Sequence, residues 1–283
     1  MKIEDVKTLD SPQERILYWM QERESIRLKK KAKKIWPWTD DEILQTYRFC
    51  NVRRINDKVS MWLYRNWYKP NKNHPNMVVA CAIARYVNKP DSLKEIGFPL
   101  TWKPKLIKKI LRARRDRGCK VFNGAYIIRG NDGLDKIASV VDAYCSPLKK
   151  QPLEHWVDTK SMRKTWENLN QCYGFGSFMA GQVTADLRWA VDHKWKDRHT
   201  WAPLGPGSLR GMNRLLERDI KTHMKQEEFD VLLMKLRKTC LKFLPSKLTK
   251  NLEAIDYQNC LCEFDKYERT LWENRRPKQL YRR

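Results

Sequence analysis

The sequence predicts an all-α protein, and three observations carry that expectation. Apolar residues recur at helical spacing along most of the 283 positions, while regular alternation of apolar and polar residues is almost absent. Helix-start chemistry stands ahead of several of those stretches, as in Trp38-Thr39-Asp40-Asp41-Glu42, where Thr39 or Asp40 can cap and acids fill the first turn. Apolar content is 41%, enough to bury a sizeable core and too much for a disordered chain. The expected organisation is one compact helical domain over 35–270, with a basic helical arm at 1–34 and a basic tail at 271–283.

In chain order, the arm ends in RLKKKAKK (27–34), which reads either as a solvated helix face or as a phosphate-contacting arm. The helix expected after Glu42 carries Leu44, Tyr47, Asn51, Ile55, Val59 and Trp62 on one stripe. Asn51, with Arg54 and Asp57 at successive three-residue steps, is unusual there, because buried polar groups need partners. The trio is either a network binding helices together or part of a site. NHPN (73–76) is a loop, 77–87 an apolar helix and 90–104 a turn-rich connection. KLIKKILRARRDRGCK (105–120) follows. Lys105, Lys108, Lys109, Arg112 and Arg115 share one helical face, and Leu106, Ile110 and Ala113 share another. A face of one sign suits contact with a DNA backbone. Residues 121–130 read as a short strand or a helix start, and helices are expected over 134–144, 162–172, 215–224, 229–243 and 252–272.

The net charge is +25, from 58 Lys and Arg against 33 Asp and Glu, which favours a polyanionic partner, nucleic acid first. No apolar run approaches the roughly 20 residues of a membrane span, and the first residues have no signal-like apolar core. The eight cysteines lack zinc-site spacing and read as reduced, mostly buried thiols. The five histidines (74, 155, 193, 199 and 223) show no metal-ligand spacing, so no metal or cofactor is evident, and a divalent-metal requirement stays open. There is no Gly-x-x-x-x-Gly-Lys-Ser/Thr loop, so the chain alone is not expected to be a P-loop kinase.

Three motifs carry the chemistry. Gly174 and Gly176 in Tyr173-Gly-Phe-Gly-Ser177 suit a hairpin before a helix, with Gly174, Gly176 and Ser177 placed to meet a DNA phosphate. Asp186, in the helix that follows, is either a capping or salt-bridge acid or a general base facing a pocket. In Gly205-Pro206-Gly207-Ser208, with Arg210 and Arg214 one turn apart, backbone N–H groups, a hydroxyl and two guanidiniums could hold a phosphate or pyrophosphate; the plain alternative is an ordinary turn. On the last long helix, Glu263 and Lys266 are either a surface ion pair or, given Leu261, Cys262, Phe264 and Tyr267 around them, a pair reaching a cleft.

Trp38-Thr-Asp-Asp, Arg48-Phe-Cys-Asn51-Val-Arg-Arg54-Ile-Asn-Asp57, GFGSFMAGQVTADL, GPGSLRGMNRL and CLCEFDKY, in that order, resemble the motifs of a group of phage DNA base hypermodification proteins. These are the alpha-glutamyl/putrescinyl thymine pyrophosphorylases and the helical domain of 5-hydroxymethyluracil DNA kinases. The similarity runs over roughly residues 35 to 270. It implies a helix–hairpin–helix DNA glycosylase-like fold with a central cleft that receives a flipped base. It implies a transferase in which 5-hydroxymethyluracil in double-stranded DNA, activated by phosphate or pyrophosphate, takes an amino acid or polyamine at its methylene. Other hypermodification enzymes, such as a 5-hydroxymethyluracil DNA kinase, would be partners in the cytoplasm of an infected bacterium. Within that scheme Arg210 and Arg214 would stabilise the departing phosphate, Asp186 or Glu263 with Lys266 would manage the amine's proton, and Asn51 would read the uracil edge, held by Arg54 and Asp57. The rival expectations are a non-catalytic helical partner of a kinase, and a glycosylase, for which Asp192 and Asp197 are the nearby acids.

Overall fold

The computed structural model describes residues 1–124, 128–131, 133–277 and 279–281; their regular structure is helical, apart from one isolated antiparallel bridge between Tyr47 and Leu280. The helices are α1 (Ile3–Lys7), α2 (Pro12–Lys31), α3 (Glu42–Thr46), α4 (Lys58–Leu63), α5 (Met77–Val87), α6 (Pro90–Ile96), α7 (Pro104–Asp116), α8 (Lys136–Ala138), α9 (Leu153–Trp156), α10 (Met162–Asn170), α11 (Gly176–Ala190), α12 (Pro206–Leu215), α13 (Gln226–Phe243), α14 (Ser246–Thr249) and α15 (Ala254–Glu273). Wider-wound turns continue α4 through Tyr68 and α8 through Cys145. The all-α expectation holds. The chain forms two compact units, Met1–Asp57 with Arg198–Arg283, and Lys58–Asp197.

The first unit is organised around α15, which packs against α12, α13, α2 and α3. A helix surrounded on so many sides should be apolar throughout, yet α15 buries Asp256, Glu263, Asp265 and Glu268 among Tyr257, Leu261, Phe264 and Tyr267. Each acid is paired, as burial of charge requires. Arg15 holds Glu268 in a two-pronged pair at 2.9 and 3.2 Å. Asp256 accepts from the backbone N–H of Arg54 at 2.9 Å. These pairs tie α2 and the segment after α3 to the central helix. The contact with α12 is close because Gly211 stands there: a Cβ at that position would lie 2.1 Å from the Leu261 carbonyl oxygen.

Within 1–34, the stretch read as a basic helical arm, α2 starts at a Ser11 cap and buries Ile16, Trp19, Met20 and Ile26 in the core. The long helix expected from Glu42 is absent. Asp41, not Thr39 or Asp40, accepts from the Leu44 N–H at 2.9 Å, and α3 stops at Thr46. Arg48 and Tyr281 then exchange backbone hydrogen bonds with Gln279 and Thr46, pulling the chain out of the helix. Gln279 and Tyr281 are thereby held beside the end of α3.

In the second unit α5 is the buried element, with every residue from Met77 to Val87 inside. It packs on α11, which α10 precedes across a short turn at 171–175. Gly174 and Gly176 both have positive φ, +83° and +53°. Gly174 is required twice over, since a Cβ would also lie 2.1 Å from the Tyr144 ring. On α7 the buried stripe is Ile107, Leu111 and Arg114, whereas Leu106 is half exposed, so the dry side sits one position round from Leu106, Ile110 and Ala113. Within 121–130 the described residues are irregular, and 125–127 lie outside the described residues.

Candidate functional site

The residues Asn51, Arg54 and Asp57 form no helical stripe. They sit on a segment that wraps back on itself in the first unit through a short 3-10 turn, Arg54–Asn56. The Asn51 backbone N–H and its side-chain Nδ2 both donate to Asp57 Oδ1, at 2.7 and 3.0 Å, and Nδ2 donates again to the Asn56 carbonyl at 2.9 Å. These bonds fix the Asp57 carboxyl in one orientation. Its second oxygen, Oδ2, has no hydrogen-bond partner among the described residues, nor is it among the side-chain atoms sealed from solvent without one. Asn51 is more than nine-tenths buried, and its Oδ1 is sealed without a donor.

α15 contributes Glu263 and Lys266 to the same place. Glu263 is buried, and its two oxygens are taken, one by the Cys50 N–H at 2.9 Å and the other by the Lys266 ammonium. Cys50 precedes Asn51, so the α15 pair and the Asn51–Asp57 segment are stitched together through that one N–H. The electrostatics follow from crowding acids in a poorly solvated region. Burial raises the Asp57 carboxyl to about 6, with the Glu263 charge adding to the rise, while the Asn51 N–H and the Arg54 and Arg23 guanidiniums oppose it. Burial alone would lower Lys266, but the Glu263 charge holds it protonated. Burial, then Glu263, raises the Cys50 thiol well above its usual range and Cys262 to about 12, so neither is a thiolate nucleophile at neutral pH.

The expected phosphate site lies on α12 of the same unit, and much of it has structural partners. Arg210 and Arg214 grip the two oxygens of buried Asp265, at 2.9 and 3.0 Å, and Arg214 also pairs with Glu273. Ser208 is fully buried and spends its hydroxyl on the Gly205 backbone and on Gln258. Gly207 is small for Cys262, whose sulfur would lie 3.1 Å from a Cβ. Arg210 differs from Arg214, being 38% exposed, with only its Nε engaged and its two terminal nitrogens without an acceptor among the described residues.

In the second unit, Asp186 is fully buried. The Arg85 guanidinium pairs with both of its oxygens, Tyr68 donates to one of them, and Arg85 also reaches Ser60 at 3.3 Å. An acid with both oxygens occupied and no exposure has no way to take a proton from a substrate, so the general-base role expected for it is replaced by a buried ion pair. The turn residues Gly174 and Gly176 are exposed at the start of α11, with Ser177 beside them. On α7, Lys108 pairs with Asp142 and Arg112 with Asp135, whereas Lys105 and Lys109 have no partner among the described residues. The face expected to be of one sign is therefore partly neutralised from outside the helix. Asp197 caps α10 through Ser161, Met162 and Arg163, and exposed Asp192 pairs with Lys72.

Residue types alone did not single out Arg85, Asp265, Asp256 or Cys50. The first had a signal, a lone Arg inside an apolar helix; Asp265 had one in the two arginines a turn apart that needed a counter-charge. Cys50 acts through its backbone, for which no side-chain signal exists. Among the described residues no group of three or more His, Cys, Asp or Glu is arranged to hold a metal ion, and no helix is long and apolar enough to cross a membrane.

A basic helical chain with this carboxylate and lysine cluster has recognisable relatives. Residues 12–276 match the family model for the helical domain of 5-hmdU DNA kinases, and the chain belongs to that family. A 5-hmdU DNA kinase of Bacillus phage SP10 is 25% identical over 259 residues, covering 82% of this chain and 40% of that kinase's length. No solved structure matches.

Proposed function

We propose that this chain acts in phage thymidine hypermodification, on 5-hydroxymethyluracil in double-stranded DNA, as a transferase. An amine, an amino acid or a polyamine, displaces phosphate or pyrophosphate from the activated 5-methylene of a base turned out of the duplex. One observation carries this reading: the Asn51–Asp57 segment and the Glu263–Lys266 pair meet in one cluster of oriented, titratable groups, with Glu263 and Asn51 buried and Asp57 and Lys266 partly open. Arg210, anchored by Asp265 with its terminal nitrogens open, is the group suited to the departing phosphate. Lys105, Lys109 and the exposed Gly174 and Gly176, with Ser177 beside them, suit the DNA backbone.

The test supplies duplex DNA carrying phosphorylated 5-hydroxymethyluracil together with candidate amines, and reads the nucleosides by mass spectrometry and the released phosphate. The expected product is the amine adduct. Arg210→Ala should lower the rate roughly a hundredfold, about 3 kcal/mol, while DNA affinity survives. Abasic sites in place of an adduct would point to a glycosylase.

A second reading has its own support, since the chain matches the helical domain of a kinase and spans 40% of that relative's length. In it, the chain presents 5-hydroxymethyluracil to a kinase carried elsewhere. Intact binding with no adduct from any amine, and stimulation of a separate 5-hydroxymethyluracil DNA kinase, would favour it.

A further inference from the structure

Three acids compete for the proton of the incoming amine, and their surroundings separate them. Asp186 is fully buried, with both oxygens spent on Arg85 and Tyr68. Glu263 is buried, with one oxygen on the Cys50 N–H and the other on Lys266. Asp57 alone of the three pairs a tied oxygen with an open one. We propose that Asp57 is the general base of this site, its Oδ1 clamped by the Asn51 N–H and Nδ2 so that Oδ2 is presented to the substrate. The assignment rests on the transferase reading above and gives Asn51 a positioning role toward Asp57.

The step balances as follows in atoms and charge. The amine's lone pair forms a C–N bond to the exocyclic methylene as the C–O bond to phosphate breaks, and the phosphate leaves with that electron pair. The nitrogen, now carrying one proton too many, gives it to Asp57 Oδ2, which passes it to water or to the departing phosphate. A base for this task works best with a pKa near the working pH. Burial and Glu263 raise Asp57 to about 6, while the Asn51 N–H, Arg54 and Arg23 hold it from rising further. The clamp supplies a second pointer. Asn51 spends Nδ2 on Asp57 and Asn56 and leaves Oδ1 sealed without a donor, an acceptor that a ring N–H such as that of a uracil would satisfy. A cytosine-type ring, with a bare acceptor nitrogen at the same place, would not.

Single-turnover transfer to phosphorylated 5-hydroxymethyluracil DNA should be followed against pH with an amine that stays unprotonated throughout. The wild-type rate is expected to rise with pH through an inflection near 6. Asp57→Asn should lose roughly a hundredfold or more together with the inflection, at unchanged DNA affinity, and Asp57→Glu should recover part of it. Asp57→Asn with the wild-type rate and inflection overturns the assignment while leaving the transferase reading intact. If the wild type makes no adduct, the transferase reading fails, and Asp57 is judged by carboxyl 13C NMR of the wild-type protein. Its signal, assigned by its absence in Asp57→Asn or Asp57→Glu, should change its titration when 5-hydroxymethyluracil DNA is added and not with thymine DNA. A signal indifferent to both overturns the proposal.

Discussion

Replacing Asp186 with Asn tests whether the one acid on the helix after the glycine turn acts on substrate or holds the fold. Arg85 is 3% exposed and Asp186 not at all, so the substitution leaves a guanidinium in the interior with its counter-charge gone. Breaking such a pair by removing one partner costs about 3–5 kcal/mol, and the amide also replaces one of the two oxygens that accept from Arg85 and Tyr68. That is a large share of the roughly 5–15 kcal/mol that holds a folded domain together. With a urea dependence near 2 kcal/mol per molar, a 4 kcal/mol loss moves the unfolding midpoint down by roughly 2 M. Urea titration followed by circular dichroism reads this directly. The double replacement Arg85→Met with Asp186→Leu should regain more than half of the loss, because an apolar pair carries no uncompensated charge. An Asp186→Asn protein with the wild-type midpoint and no amine transfer would refute the reasoning and return Asp186 to the acting acids.

Three further outcomes are expected. Gly174→Ala should cost about 2 kcal/mol or more, since φ is +83° and the new methyl meets the Tyr144 ring; Gly176→Ala, at φ +53° with nothing within 4 Å, should cost about 1 kcal/mol. Thermal melts rank the two, and the opposite order would contradict the packing. Lys105→Glu with Lys109→Glu should weaken DNA binding more than Lys108→Glu with Arg112→Glu, because the second pair is already engaged by Asp142 and Asp135. Each lost phosphate contact should flatten the logarithmic salt dependence by roughly one, read by fluorescence anisotropy. Folded Asp57 holds its proton to about pH 6, against an ordinary carboxyl near 3.8, so the folded state binds more protons in between. Stability should therefore fall as pH rises through that window and level off above it. Asp57→Asn should abolish that fall and gain up to about 3 kcal/mol at neutral pH, measured by urea titration at several pH values.

Helices were legible wherever one face is buried and its spacing repeats, as in α2, α7 and α13, or where the apolar run is continuous, as in α5. Elements set by distant partners were not. Nothing near Tyr47 says that residues 279 and 281 will pair with Arg48 and Thr46 and end the helix, because those bonds are made by backbone groups more than two hundred positions away. The division into two units was hidden for the same reason: the first is built from both ends of the chain, and linear composition carries no trace of which ends meet. At the site, residue type identified polar groups in apolar company, and the motifs at 51–57 and 263–266 do converge. The roles within them depend on which oxygens are already spent, and that is a property of geometry. Asp57, Asp186 and Glu263 are alike as letters, and Arg210 and Arg214 are alike as letters. The Arg85 pair, the Cys50 N–H and Asp265 make them unlike, leaving one carboxylate oxygen and one guanidinium edge open. A sequence names the groups that can do chemistry, and the partners they have already taken decide which of them remain available for it.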